Sequence, residues 1–288
     1  MQIEKLPVIS IEGEIYTSSQ GVNKLMQFYY EAVEYKDTVI TVDFYNMDWL
    51  DANLTALLNA ITYRLKKDNN IQLSADFEFL SKNFNVLFRN GWLKDEHFNI
   101  TDVQETTIPC THFLPSQESD FLEYIDKTLL CHRGMPALEK SKRLRIQSDL
   151  IEIFTNIFRH ARTDDPFFVC GQYYPTKGFF ILTMVDLGVG FLPPIQQYTG
   201  GVINSDIDSI RWALSGKSSL INDPTTEIGG FGLEGIHKYC LDNKGVFQIY
   251  TGTDFWGTDL ENTIWQGFRT LKHSFQGSML NLFFNLNA

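Results

Sequence analysis

Three short segments of this chain carry residue types whose spacing could do chemistry. The first is SDLIEIFTNIFRHA, residues 148–161. Leu150, Ile151, Ile153, Phe154, Ile157 and Phe158 make a wide apolar helical face, and Glu152, Asn156 and His160 recur every four residues on the other side. Taken alone, that stripe is the solvated face of an amphipathic helix. The second is TMVDLGVGF, residues 183–191. An apolar strand from Gly178 to Val185 delivers Asp186 to its end, followed by Gly188 and Gly190. A carboxylate there can accept a hydrogen bond from an exocyclic amine such as that of adenine, and the glycines would let a ring lie against the backbone. A turn accounts for the same residues equally well. The third is EIGGFGLEGI, residues 227–236, in which Gly229, Gly230 and Gly232 precede a helical pattern from Leu233 to Leu241. Glycine-rich backbone at a helix start offers free N–H groups and a positive dipole end to phosphate. A hinge before a helix is the plainer reading.

The order of the three is more telling than any one of them. E-x-x-x-N on a helix, then D-x-G-x-G, then G-G-x-G-L after a long loop, resembles the GHKL (Bergerat-fold) ATPase superfamily. That superfamily includes gyrase B subunits, mismatch-repair ATPases, sensor histidine kinases and anti-sigma-factor kinases. EIFTNIFRHA, with a histidine four residues after the asparagine, looks most like the anti-sigma-factor kinase branch. The resemblance covers residues 137–288.

The resemblance implies an α/β sandwich, with helices over one face of a mixed sheet. It implies ATP as ligand, its adenine meeting Asp186 beside Gly188 and Gly190. It implies Mg²⁺ held by Asn156 and the triphosphate, with several waters kept. Glu152 would be the general base acting on a water or a hydroxyl nucleophile. Residues 191–230 would form a lid, and the phosphates would meet the backbone from Gly229 and Gly230 through Phe231, Gly232 and Leu233. Within the lid, Lys217, Ser218 and Ser219 either reach the γ-phosphate or form a solvated loop tip. In the last strand, Gly277–Ser278 looks like the family's Gly-Thr, and a serine hydroxyl can also help hold adenine. The expected activity is ATP hydrolysis or transfer of the γ-phosphate to a partner protein's hydroxyl, as a serine/threonine kinase. The alternative is an ATP-gated interaction module that does not hydrolyse. Dimerisation is common in the superfamily, but nothing in the sequence identifies an interface or a protein partner.

The elements before these segments read strand, helix, strand, helix, strand. Pro7–Ile15 alternates as a half-buried strand. Asn23–Tyr35 has helical spacing, Thr38–Phe44 is a β-branched strand, and Leu54–Leu65 is a helix. Ile71–Leu73 starts another strand, and Phe77–Phe88 is helical. This alternation predicts an open α/β sheet. Residues 41–61 resemble the STAS domain of anti-sigma-factor antagonists, with Asp51 at the family's aspartate. Ala52, Asn53 and Leu54 replace the next three residues, so the phosphorylatable serine is missing. Asp51 or Asn53 is expected to cap the following helix. The predicted domains are a STAS-like α/β domain over residues 1–105, a helical connector over 106–136 and the GHKL domain over 137–288.

Length and composition agree with two domains. The chain has 288 residues, against roughly 150 per domain. Sixteen of its twenty glycines lie from Gly171 onward, which places the tight turns and close backbone approaches in the second half. A formal charge of −11 repels phosphate backbones and anionic lipid, so nucleic acid and membrane surface are unfavoured partners. Cys110, Cys131, Cys170 and Cys240 are far apart with no C-x-x-C, which predicts free thiols and a cytoplasmic location. No apolar run approaches a membrane span.

Overall fold

Local signals set some helix ends in the N-terminal half. The computed structural model describes residues 6–98, 100–215, 232–258 and 266–286. The predicted strand Pro7–Ile15 is two short strands, β1 (Val8–Ser10) and β2 (Gly13–Ile15), which join different sheets. Helix α1 (Ser19–Ala32) starts four residues before the expected Asn23, because the Ser18 side chain accepts from the Gly21 N–H at 3.2 Å. Strand β3 (Val39–Asp43) is followed by β4 (Met47–Leu50), which the sequence pattern did not reveal. A 3₁₀ turn, Ala52–Leu54, leads into α2 (Thr55–Asn69). Asn70 ends α2 in the left-handed region at φ 52°, as an asparagine tolerates. After β5 (Gln72–Ser74), the expected helix Phe77–Phe88 is broken at Phe84 into α3 (Phe77–Asn83) and α4 (Val86–Arg89). Strands β1, β3 and β5 form a parallel sheet, and β2 pairs in parallel with β4.

The expected connector is part of the next sheet. It contains β6 (Thr107–Phe113), then α5 (Glu118–Glu123) and a π-helical segment, Tyr124–Leu129. There follow α6 (Lys140–His160), β7 (Phe167–Tyr174), β8 (Phe179–Asp186), α7 (Leu192–Tyr198) and α8 (Asp206–Leu214). The chain ends in α9 (Gly232–Asp242), β9 (Val246–Thr258) and β10 (Gln266–Asn285). The five-stranded sheet runs β6-β7-β8-β10-β9, and every pairing in it is antiparallel. This corrects the expected mixed sheet: among the described residues, parallel pairing is confined to the N-terminal strands.

Both faces of that sheet are covered, which corrects the expectation of helices over one face. Successive strand residues point to opposite faces. Phe167, Val169, Phe180, Leu182, Met184, Leu280, Leu282 and Phe284 pack under Leu150, Ile153 and Phe154 of α6, Ile210 of α8 and Ile236 of α9. Phe168, Cys170, Val185 and Met279 pack against Leu57, Leu58 and Ile61 of α2. Double coverage explains why β8 reads as an unbroken apolar run rather than an alternating one. Rings set much of the helix-side packing: Phe154 stacks on Phe121 with centroids 4.7 Å apart. Truncating a ring so enclosed costs about 3–5 kcal/mol. The α2 side is threaded by polar groups instead. Asn53 Nδ2 donates to Thr183 Oγ1 at 2.8 Å, Thr183 Oγ1 donates to Asn281 Oδ1 at 2.7 Å, and Asn281 Nδ2 donates to Gln248 Oε1 at 3.0 Å.

Candidate functional site

Strand β8 ends at Asp186, directly opposite Ser278 of β10. By strand alternation both share the face of Met184 and Leu280, under α6 and α9. Asp186 is 3% exposed. Its Oδ2 accepts from the Ser278 hydroxyl, and its Oδ1 accepts from the Gly188 N–H at 2.8 Å. Burial pushes the Asp186 carboxyl above its ordinary range, against the pull of Ser278, Gly188 and the Arg64 charge. Asp186 and Ser278, named separately from sequence, are therefore one hydrogen-bonded pair.

The glycines around this pair are required by the protein's packing on itself. A Cβ at Gly188 would lie 2.2 Å from the Ala161 Cβ at the end of α6. The Val189 N–H donates to the Ala161 carbonyl at 3.0 Å. The loop after β8 is thus docked on the end of the helix that carries Glu152 and Asn156. Gly190 has φ 75°, and a Cβ there would lie 2.5 Å from Thr251 Oγ1. Gly277, at φ 128°, would place a Cβ 2.1 Å from the Asp186 carbonyl oxygen. These glycines are needed whether or not a ring lies against them, a reason the sequence reading did not supply.

Arg64 of α2 is a site residue that sequence reasoning missed. It is 8% exposed. Its guanidinium donates to the Leu187 carbonyl and to the Gln276 carbonyl, each at 3.0 Å. It therefore ties together the two segments that present Asp186 and Ser278. The available signal was an arginine three residues after Ile61, within the buried stripe of the helix.

Glu152 and Asn156 lie on α6 and are half-buried. Asn156 precedes the docked Ala161 by five residues, which is about 7.5 Å along a helix axis. Asp149, one turn before Glu152, was also missed. It is 3% exposed, and Arg145 Nε donates to both of its oxygens at 3.0 and 3.2 Å. Burial raises its carboxyl to about 6, with the Glu152 charge adding to the rise and Arg145 opposing it. A Cβ at Gly235 would lie 2.5 Å from Asp149 Oδ2, so the first turn of α9 is pressed onto this carboxylate. Gly232 opens α9, and the half-buried Leu233 packs into the helix-side core. Lys217, Ser218, Gly229, Gly230 and Phe231 lie outside the described residues, as does the side chain of His160.

A surface pocket of about 380 Å³ lies elsewhere, along β6, lined by Arg89, Asp102, Lys127, Cys131, His132 and Arg133 among others. Among the described residues, no motif residue lines it. Its charges are largely occupied: Arg89 pairs with Asp102 at 2.7 Å, and Arg133 Nε donates to the Glu105 carbonyl at 3.1 Å.

The capping role expected of Asp51 and Asn53 is not what the structure shows. Neither the 3₁₀ turn nor α2 has a side-chain cap at its start. Asp51 accepts from the Thr17 N–H, the Thr17 hydroxyl, Trp49 Nε1 and the Tyr174 hydroxyl, at 2.7 to 2.9 Å. Asn53 reaches across to β8. All four cysteines are free thiols. No helix among the described residues is long and apolar enough to cross a membrane. No family model matches the chain, and neither a curated protein nor a solved structure matches it.

Proposed function

We propose that this chain is a regulatory Mg·ATP-binding protein of the GHKL type, with a STAS-like N-terminal half, that hydrolyses ATP or passes its γ-phosphate to a protein hydroxyl. The observation that carries the reading is the buried Asp186–Ser278 pair beside the loop docked on α6. A carboxylate has about four acceptor positions, and the Ser278 hydroxyl and the Gly188 N–H do not fill them, which leaves room for the exocyclic amine of adenine. Asn156 supplies an amide oxygen to Mg²⁺, which ordinarily takes few protein ligands and completes its shell with phosphate and water. Glu152, one turn away, is the base that orients the attacking hydroxyl or water.

The test is a calorimetric titration of Mg·ATP into the wild-type chain and Asp186→Asn. Saturable binding that the substitution weakens at least tenfold supports the reading; a folded wild type that binds no ATP removes it. A second reading, an ATP-gated interaction module without turnover, is favoured by Arg64, since it ties the N-terminal half to the segments that present Asp186 and Ser278. Steady phosphate release that Glu152→Ala abolishes while ATP binding persists would exclude that passive switch.

A further inference from the structure

Away from that site, three aromatic rings surround one ammonium. The Lys177 Nζ lies 5.3 Å from the Tyr16 ring centroid, 5.5 Å from Trp49 and 5.1 Å from Tyr174. The rings come from three parts of the chain: the residue after β2, strand β4, and the end of β7. One carboxylate organises two of them. Asp51 Oδ1 accepts from Trp49 Nε1 and from the Tyr174 hydroxyl, each at 2.9 Å. The third ring, Tyr16, is tilted 33° to Trp49 and donates its hydroxyl to Glu14 at 2.9 Å. The cage is thus fixed by hydrogen bonds before anything enters it, which lowers the ordering cost of binding.

Its present occupant is held weakly. Lys177 sits in the exposed turn between β7 and β8, and Trp49 is 41% exposed, so the cage opens to solvent. Among the described residues the Lys177 ammonium has no hydrogen bond and no ion pair beyond these ring contacts. An exposed cation–π contact is worth about 0.5–1 kcal/mol, and a primary ammonium must give up strong hydration to make it. A trimethylated ammonium gives up less, and three rings around a cation suit it. The chain's charge of −11 favours a cationic ligand further.

We infer that Tyr16, Trp49 and Tyr174 form a recognition site for a trimethylammonium group, and that Lys177 is a built-in plug that swings out when the ligand enters. The same headgroup is carried by small molecules of the choline type and by trimethylated lysine side chains of proteins.

The experiment follows the Trp49 indole N–H resonance of the full chain by NMR, identified by its loss in Trp49→Phe. The probes are choline, a trimethyllysine-containing peptide, and 3,3-dimethylbutan-1-ol, the neutral isostere of choline. A saturable shift is expected from at least one cationic probe and none from the alcohol. Lys177→Ala, at an exposed position that leaves the fold intact, should tighten that binding about two- to fivefold, the equivalent of one exposed cation–π contact. The tighter of the two cationic probes identifies the source of the headgroup. No saturable shift in Lys177→Ala with either cationic probe, or an equal response to the alcohol, overturns the proposal.

Discussion

Asp51 and Asp186 are two carboxylates at strand ends, each 3% exposed, yet their surroundings differ in a way that separates structure from site. Asp51 receives four donors, from Thr17 twice, Trp49 and Tyr174. They fill the roughly four acceptor positions a carboxylate offers. Asp186 receives the Ser278 hydroxyl and the Gly188 N–H, with the Ser278 backbone N–H adding to the field that holds its charge. Those donors do not outweigh burial, and its carboxyl stays raised. A saturated buried carboxylate is a structural hub. One with an acceptor position to spare and a penalised charge is complementary to an added donor, which is what a ligand amine is.

The largest effect should come from breaking the hub. Asp51→Ala would leave the Trp49 indole N–H, the Tyr174 hydroxyl and both Thr17 donors without their acceptor. Tyr174 is buried, and its own acidity is suppressed by burial and by the Asp51 charge beside it. Loss of a shared charged acceptor of this kind should lower unfolding free energy by about 3–4 kcal/mol. Urea denaturation reads this directly. A loss below about 1 kcal/mol would mean that saturation does not mark a structural role, and the contrast with Asp186 would fail.

A smaller effect is expected on the helix that approaches the docked loop. Asp149 titrates at about 6 in the folded chain, above an unfolded value of about 4. The folded state therefore binds more protons between those values, and stability falls as pH rises from about 4 to about 6 and is level above. Arg145, which opposes the rise, is 63% exposed on its side chain, so solvent screens its pull and burial remains the governing cause. The contribution should be about 2 kcal/mol, the linkage value of a rise from about 4 to about 6. Comparing denaturation midpoints of wild type and Asp149→Asn at pH 4.5 and 7 isolates it, because the other acidic groups are common to both. Identical pH dependence in the two chains would show that Asp149 is ordinary, and that the pressure of α9 at Gly235 does not reach its charge.

What the sequence made legible was local. Strand β3 falls within the predicted Thr38–Phe44, and β8 delivers Asp186 where the apolar run ends. The resemblance puts Asp186 and Ser278 each at adenine, but their direct pairing shows only in the structure. The illegible parts depend on partners far away in the chain. Tyr174 meets Asp51 across 123 positions, and Arg64 meets Leu187 across the same separation. No local window contains either pairing. Strand β6 was hidden for another reason. Its Pro109 cannot donate to a ladder, and the register shifts between Ile108 and Thr111 around it, as an edge strand tolerates. Its segment therefore read as a linker. The second covered face of the sheet was hidden because an apolar run such as FFILTMV shows that both sides are buried but not by what.

The smallest expected change in stability is the most informative. Asp186→Asn keeps the size of the side chain and removes its charge. The Asp186 carboxyl is raised above its ordinary range, so its ionised form is penalised at neutral pH and neutralising it relieves that penalty. The Ser278 hydroxyl can rotate to accept from the new amide, while the remaining oxygen keeps the Gly188 N–H. Stability should therefore change by less than about 1 kcal/mol at pH 7, in contrast to the loss at Asp51. The same substitution presents an N–H where an exocyclic amine needs an acceptor, so ATP affinity should fall at least tenfold, about 1.4 kcal/mol or more. Denaturation and calorimetry on one preparation separate the outcomes. Intact stability with lost affinity assigns the spare acceptor position to the ligand. Lost stability of about 3 kcal/mol would make Asp186 a second hub like Asp51, and the nucleotide reading would lose the observation that carries it.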